Sequence, residues 1–505
     1  MKRSPVLVTA TVLALVLVVV HPSEAQVAKG SISGTVVDAS GGAVPGTRVQ
    51  AVEVSNGVSY QTVTDRAGNF RLSLLGIGSY NVSIAKAGFQ RLSVRPVSVA
   101  SAVDTGLGKL VLHVGSITTT VQVSGAPALL ETTQSQVSTT LTSSFIQHFP
   151  GVNENEGLDN LALMLPGVVN SRDTSFSDAN GAGFSSNGVR GRNNDQQIDG
   201  QFNNDNSVAG PALFVSNPDF VQEYQVITDN FGPEYGRNSG SVVNIITKSG
   251  TNQYHGDIFA TESNSSLDTL SNTQIAFEGL TKLPYFNDEF SGGSFGGPIK
   301  KDKAFFFGGF DDEIIPSSAV DGTGALTPTP AGLTELGTCP FANAASLAAL
   351  SKYGPFGITG GNPVVSGTPS VQTLTDPTNP SMTCNVQMGG VQRTLSTAVH
   401  EYDSLVKLDG GSDRDHISGR WIYQKIAFLN ANSFGTAAAG YPVNVPSLSE
   451  DFGVSWVHSF TPSQVNEARL SYGREVVQFG GNTIGNTVPN QNSISSALTN
   501  VGFLV

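Results

Sequence analysis

The segments NGVRGRNNDQQIDGQFNNDN (residues 187–206) and NPDFVQEYQVITDNFGPEYGRNSGSVVNIITKSGTNQYHG (residues 217–256) decide the fold of this chain. Glycines punctuate them at Gly188, Gly191, Gly200, Gly232, Gly236, Gly240 and Gly250. Glycine supplies the positive-φ turns that wind short strands into a small unit. Glu223–Thr228 (EYQVIT) and Ser241–Thr247 (SVVNIIT) read as strands, rich in β-branched residues. Asn217 before Pro218 reads as a helix cap with proline at the first helical position, so one helical turn runs into a strand. The charges Arg190, Arg192, Asp199, Glu234 and Arg237 lie between these elements. A self-sufficient core would be more apolar, so the unit is expected to sit inside something polar, with these charges either facing it or serving as plain turn and surface charges.

The same residues carry a resemblance. Val189-Arg190-Gly191 followed by Ile198-Asp199-Gly200 resembles the plug of TonB-dependent outer-membrane transporters. Glu234-Tyr235-Gly236-Arg237, then Val243 to Asn252, resembles the end of that plug, and Tyr254-His255-Gly256 the entry to its barrel. The closest flavour is the Oar-like branch, which has an extra N-terminal domain. The resemblance implies a mainly β protein: an immunoglobulin-like sandwich, a small α+β plug and an antiparallel transmembrane β-barrel.

Composition agrees with an extracytoplasmic β protein. Charged residues make up 13% of 505, against about 25% in ordinary soluble proteins. The net charge of −13 argues against a nucleic-acid partner, because phosphate binding needs a basic stripe. Cys339 and Cys384 fit no metal-ligand spacing; in an oxidising compartment they can form a disulfide. No cofactor is implied. No nucleophile–base or paired-carboxylate constellation is evident, so the chain is not read as an enzyme.

Taken in order, residues 1–25 read as a secretory signal peptide: Lys2 and Arg3, an apolar run from Val6 to Val20, and cleavage after Ala25. Residues 26–112 read as a sandwich, with strands separated by turns at short, regular spacing. Within them GSISGTVVDASGGAVPGTRV, TDRAGNFRLSLL and GSYNVSIAKAGFQ resemble the carboxypeptidase regulatory-like domain. Asp65 and Asn69 are expected to hold a turn there. Residues 113–127 form a connector. Its uncharged run Ile117–Ser124 is read two ways. It is either the last sandwich strand or, by position in the resembled family, the contact for TonB, with Thr120, Val121, Gln122 and Val123 at its centre. Residues 128–250 are the plug, opened by a helix at Phe145–Phe149 capped by Ser143 or Ser144. A second helix places Leu158, Leu161, Ala162 and Leu165 on one face.

Residues 251–505 read as the first part of a barrel, and NDEFSGGSFGGPIKKDKAFFFGGF (287–310) resembles an early hairpin of the Oar-like branch. Glu401–Asp409, Ile417–Tyr423, Phe452–Phe460 and Asn466–Tyr472 alternate apolar-out, polar-in. Pro316–Val399 has no strand pattern and is expected to be a surface loop. There is room for roughly ten strands, against roughly twenty-two in plugged transporters. With no terminal aromatic after Phe503-Leu504-Val505, the chain is read as truncated, its barrel incomplete.

The expectation is TonB-dependent active transport of a scarce substrate (siderophore, oligosaccharide or peptide) across the outer membrane, with the sandwich in the periplasm. Its partners are TonB or a TonB-like protein, outer-membrane lipid and the substrate. The alternative is a surface adhesin or carbohydrate-binding protein using the N-terminal sandwich.

Overall fold

The computed structural model describes residues 29–116, 120–123, 135–149, 154–170, 183–206, 210–232, 235–236, 238–270, 287–354, 364–412, 414–431, 443–461, 464–477 and 480–481, with isolated positions at 272, 275, 283, 285 and 356. The expected signal peptide lies outside the described residues.

Eight strands build the N-terminal sandwich: β1 (Gly30–Asp38), β2 (Arg48–Glu53), β3 (Ser59–Val63), β4 (Asn69–Leu75), β5 (Gly78–Ala85), β6 (Arg91–Val99), β7 (Asp104–Leu112) and β8 (Thr120–Val123). The sheet β4-β1-β7 faces the sheet β3-β2-β5-β6-β8. Alternation puts Val49, Ala51, Tyr80, Val82, Ile84, Leu92 and Val94 inward, where they form one buried core. Asp65 closes its turn by accepting from the N–H groups of Ala67 at 2.9 Å and Asn69 at 2.8 Å. The sandwich runs beyond residue 112. Of the two readings of the connector run, the strand reading describes this structure: β8 pairs in parallel with β6, Leu92 opposite Val121, and Val121 packs against the core. A β-branched, uncharged run beside an open strand edge is a ready partner for it.

The plug holds β9 (Val137–Thr142), β10 (Val168–Asn170), β11 (Phe184–Ser186), β12 (Asp195–Ile198), β13 (Gln201–Phe202), β14 (Val221–Asp229) and β15 (Val242–Thr247). Five of them form the sheet β13-β12-β15-β14-β9, while β10 and β11 pair separately. Central β15 is buried at every position, which is why VVNIIT is nearly continuous rather than alternating. The first helix spans Ser143–His148; Thr142 is its cap residue and makes no side-chain capping bond, so neither Ser143 nor Ser144 has the expected role. The second, Glu154–Met164, winds as a 3-10 helix, yet still buries Leu158, Leu161 and Ala162, with Leu165 just beyond it. As read from Asn217-Pro218, a single turn, Pro218–Phe220, leads into β14, with the Asn217 side chain accepting from the Asp219 N–H at 2.8 Å.

The rest is one antiparallel sheet: β16 (His255–Asn264), β17 (Asn287–Lys300), β18 (Ala304–Pro328), β19 (Val364–Thr375), β20 (Thr383–Gly411), β21 (Asp415–Ala431), β22 (Val443–Thr461), β23 (Gln464–Val477) and β24 (Gly480–Gly481). Its wall runs β16-β17-β18-β20-β21-β22-β23 and is open among the described residues. Short connections at 301–303, 412–414 and 462–463 mark one end, long ones the other, as in outer-membrane barrels. Along β20, Glu401, Asp403, Leu405 and Lys407 are buried, whereas Val406 and Leu408 point out. Trp421, Phe452 and Leu470 continue the outward apolar face.

The expected surface loop Pro316–Val399 is largely structured. β18 and β20 stay paired past the wall, Pro316 opposite Ala398 and Thr327 opposite Gly389. They carry helices at Pro330–Thr338 and Ala344–Tyr353, and a small core of Leu336, Cys339, Leu350, Val386 and Met388. Cys339 and Cys384 are joined by a disulfide, Cα atoms 5.7 Å apart. A link across 45 residues contributes about 4 kcal/mol in the chain-entropy account. β19 is exposed along nearly its whole length, and a strand with no buried face needs no apolar alternation.

Removing β8 uncovers part of the sandwich core. An isolated sandwich ending at residue 112 is therefore expected to be about 1–2 kcal/mol less stable in urea than one ending at 123. Equal midpoints and slopes for the two would assign β8 no part in the sandwich's stability.

Candidate functional site: the seam between plug and barrel wall

The seam is built around the hairpin that joins β12 to β13. Ile198 pairs with Gln201 across a two-residue turn, Asp199-Gly200. Both turn residues have positive φ, 50° and 69°, the combination that an Asp-Gly pair provides in tight hairpins. The turn projects the Asp199 carboxylate at the barrel wall. It accepts from the Thr247 N–H at 2.9 Å and the Thr247 hydroxyl at 2.7 Å, and lies 3.5 Å from Lys407 Nζ and 3.2 Å from Arg420 Nη1. Lys407 also donates to the Thr247 carbonyl at 3.0 Å, and Arg420 to the Ile198 carbonyl at 2.8 Å and to Asp451 at 2.5 Å. Lys407, Arg420 and Asp451 are all buried. Beside them Arg469 donates to the Gly200 carbonyl at 3.0 Å, and Gln201 donates to the carbonyls of Val454 and Leu470.

A second patch lies on the plug loop before β14. Gln424 donates to the Phe214 carbonyl at 2.6 Å and accepts from its N–H at 3.1 Å. The Ser216 hydroxyl lies 3.0 Å from Glu401 Oε1 and 2.8 Å from Asp403 Oδ2, and Asn217 donates to Asp311 at 2.7 Å. Between the polar patches, Phe307, Leu405 and Ile422 of the wall join the plug's own core with Phe220, Val221 and Tyr224. Gly309 and Gly453 make room for this approach: a Cβ there would strike the Phe220 ring and the Gln201 side chain.

Of the charges singled out in the sequence, Asp199 therefore reaches the wall. Arg190 is exposed and Arg192 half-buried, beside and within the short turn Gly191–Asn193. Glu234 and Arg237 lie outside the described residues. Thr120–Val123 form β8 in the sandwich. Lys407, Arg420, Asp451 and Arg469 were not singled out; their signal is charge at inward positions of alternating strands. Among the described residues no group of three or more His, Cys, Asp or Glu side chains is placed to hold a metal ion.

Burial pushes the Asp199 carboxyl up, but Lys407, Arg420 and Thr247 together outweigh it and hold the group below the usual carboxylate range. Among the described residues, no such cation offsets burial at two other plug carboxyls. Burial pushes Asp159 to about 7, with the Tyr224 hydroxyl 3.5 Å away. Burial likewise pushes Glu223 to about 7, offset only in part by the Ser101 N–H, which donates to it at 3.2 Å.

A wall with an apolar outer face, a polar inner face and a domain bonded to the inside has the character of part of a plugged membrane barrel. Residues 246–503 match the family described as an outer membrane beta barrel domain, and residues 31–113 match the carboxypeptidase regulatory-like domain. The chain belongs to the outer-membrane β-barrel family, and its place is the outer membrane. It is 30% identical over 309 residues to the TonB-dependent transporter Oar of Myxococcus xanthus, a match covering 57% of this chain and 27% of that protein. The chain thus spans about a quarter of the relative's length. Among solved structures, the ferric enterobactin receptor PfeA of Pseudomonas aeruginosa is 14% identical, covering 68% of this chain and 42% of that one, with a TM-score of 0.40. The siderophore receptor PirA of the same organism is 14% identical, covering 68% and 56%, with a TM-score of 0.27.

Replacing Asp199 by alanine takes the half-buried counter-charge from buried Lys407, a change expected to cost less than the ~3–5 kcal/mol lost when one partner of a fully buried pair is removed. Amide exchange in β12 and β15 is expected to accelerate accordingly, and unchanged exchange would assign the seam's strength elsewhere. The raised carboxyls set a pH dependence. Glu223 rises from an ordinary 4.5 to about 7 and Asp159 from 3.8 to about 7, so the folded plug holds protons that the unfolded chain releases. Their contribution is complete below about pH 4 and is lost as pH rises through about 7. Glu223→Gln should flatten the fall in urea stability between pH 5 and 8 by up to about 3 kcal/mol. A Glu223→Gln profile parallel to the unaltered one would contradict this.

Proposed function

We propose that this chain is the plug-bearing part of a transporter that takes a scarce substrate, a siderophore, oligosaccharide or peptide, across the outer membrane with energy delivered by TonB or a TonB-like protein. The observation that carries the reading is the knot of Asp199, Lys407 and Arg420, which holds an obstructing domain to the wall through polar bonds. In this reading the ion pairs serve to fix position more than to add net stability. A plug so held is accurately seated yet not glued by a continuous apolar seam. The name of the Oar relative, a TonB-dependent transporter, supports the energised reading. The role is one of binding and passage rather than catalysis.

In this reading the sandwich lies in the periplasm, on the side of the short connections. Thr120, Val121, Gln122 and Val123 are the candidate contact for the energising protein. β8 ends its sheet among the described residues, so a partner strand can add along its outer side or take it from β6. Gln122 is exposed and reports on this directly. A Gln122→Cys chain in cells carrying single-cysteine variants of the TonB-like protein is expected to form a cross-link that disappears when the inner membrane is de-energised. Absence of any cross-link along β8, with the chain present in the outer membrane, would remove this strand as the contact.

A further inference from the structure

The sandwich does not merely precede the plug; it grips it. The turn between β6 and β7 presents Ser101, fully buried, to the face of the plug sheet. Its N–H donates to Glu223 at 3.2 Å, its carbonyl accepts from the Gln225 side chain, and its hydroxyl accepts from Asn244 at 3.2 Å. The neighbouring Ala102 carbonyl accepts from Gln136 at 3.0 Å. Ala102 has φ of 51°, a conformation that a non-glycine residue seldom adopts, so the tip of this turn is shaped rather than slack. Asn244 also accepts from the Gly200 N–H at 2.9 Å, which ties the grip to the hairpin at the barrel wall.

The opposite side of the sandwich rests on the wall. The Asn252 N–H donates to the Ser55 carbonyl at 3.0 Å, beside the connection bearing Asp302. The Tyr60 ring packs on His416, centroids 4.7 Å apart. A cavity of about 540 Å³ lies between the two footholds, lined by residues of all three parts, among them Glu53, Asp199, Glu223 and Lys407. The sandwich thus spans plug and wall, touching the plug sheet with one turn and the wall's short-connection end with another.

We propose that the sandwich is a latch: it ties the plug to the wall from the side of the short connections, and the plug shifts along the wall only after the Ser101 turn has let go. Buried hydrogen bonds at one turn act together, because losing one exposes the others to water. The latch does not depend on the transport reading, since it holds in a chain that carries no substrate.

The test needs neither TonB nor substrate. A protease site is placed between Gly125 and Glu131 of the full chain in membrane vesicles; the chain is cut, washed and followed by amide exchange. After cutting, the sandwich is expected to stay bound in the unaltered chain. It should wash away when Gln225→Ala and Asn244→Ala are combined, and more readily when Tyr60→Ala is added. Once it has left, β14 and β15 should exchange faster by on the order of tenfold. Tyr60→Ala alone, which leaves the plug untouched, guards against a plug that fails to fold, and it should weaken retention. A sandwich that washes away from the unaltered chain, or one whose loss leaves plug exchange unchanged, overturns the latch.

Discussion

One half-buried carboxylate sets the terms for the rest of the molecule. Asp199 is carried on a turn that only a few residue pairs can form, and the same turn delivers it to Lys407 and Arg420 on neighbouring strands of the wall. A carboxylate taken out of water without partners would be driven to its neutral form. Here two cations and the hydrogen bonds from Thr247 keep it charged. Position, charge state and strand register are therefore one problem. If β20 slipped by one residue, Lys407 would face lipid and Leu408 would face the carboxylate.

That constraint explains the uneven character of the wall. Its outer face is apolar because lipid offers no hydrogen bonds. Its inner face is divided: cations meet the Asp199 hairpin, carboxylates and Gln424 meet the loop at Phe214–Asn217, and Phe307, Leu405 and Ile422 meet the apolar centre of the plug. Glycines at 309 and 453 fit the same pattern, thinning the wall where plug side chains press against it. Among the described residues no cation offsets the burial of Glu223 and Asp159, and burial raises both. The difference between these groups and Asp199 lies in what surrounds them.

Much of this was legible in the chain. The Asp-Gly hairpin, the strands on either side of Gly232–Gly240, the Asn217-Pro218 turn and the inward–outward alternation at Glu401–Asp409 are local patterns, and local patterns survive folding. What escaped reading was non-local or lacked contrast. Asp199 and Arg420 are 221 positions apart, and nothing in either segment names the other. The run that forms β8 kept two readings because four residues carry little periodicity, and only their partner, β6, places them in the sandwich. The extension of β18 and β20 looked like loop because a ladder in water has no apolar face to announce it. The 3-10 winding of Glu154–Met164 left the same leucines buried, so their spacing could not separate the two helix types.

The shared core bears on how the protein comes to exist. Phe307, Leu405 and Ile422 are side chains of the membrane wall, yet they complete the apolar interior of the domain seated against it. Until β18, β20 and β21 are laid side by side, the plug faces solvent with an unfinished core. Synthesis runs from the N-terminus, so the plug emerges before the strands that finish it. Its core is completed only when those strands reach it. A plug stable enough to mature by itself would have to be threaded whole into a finished barrel. Dividing one core between two parts makes their assembly a single event.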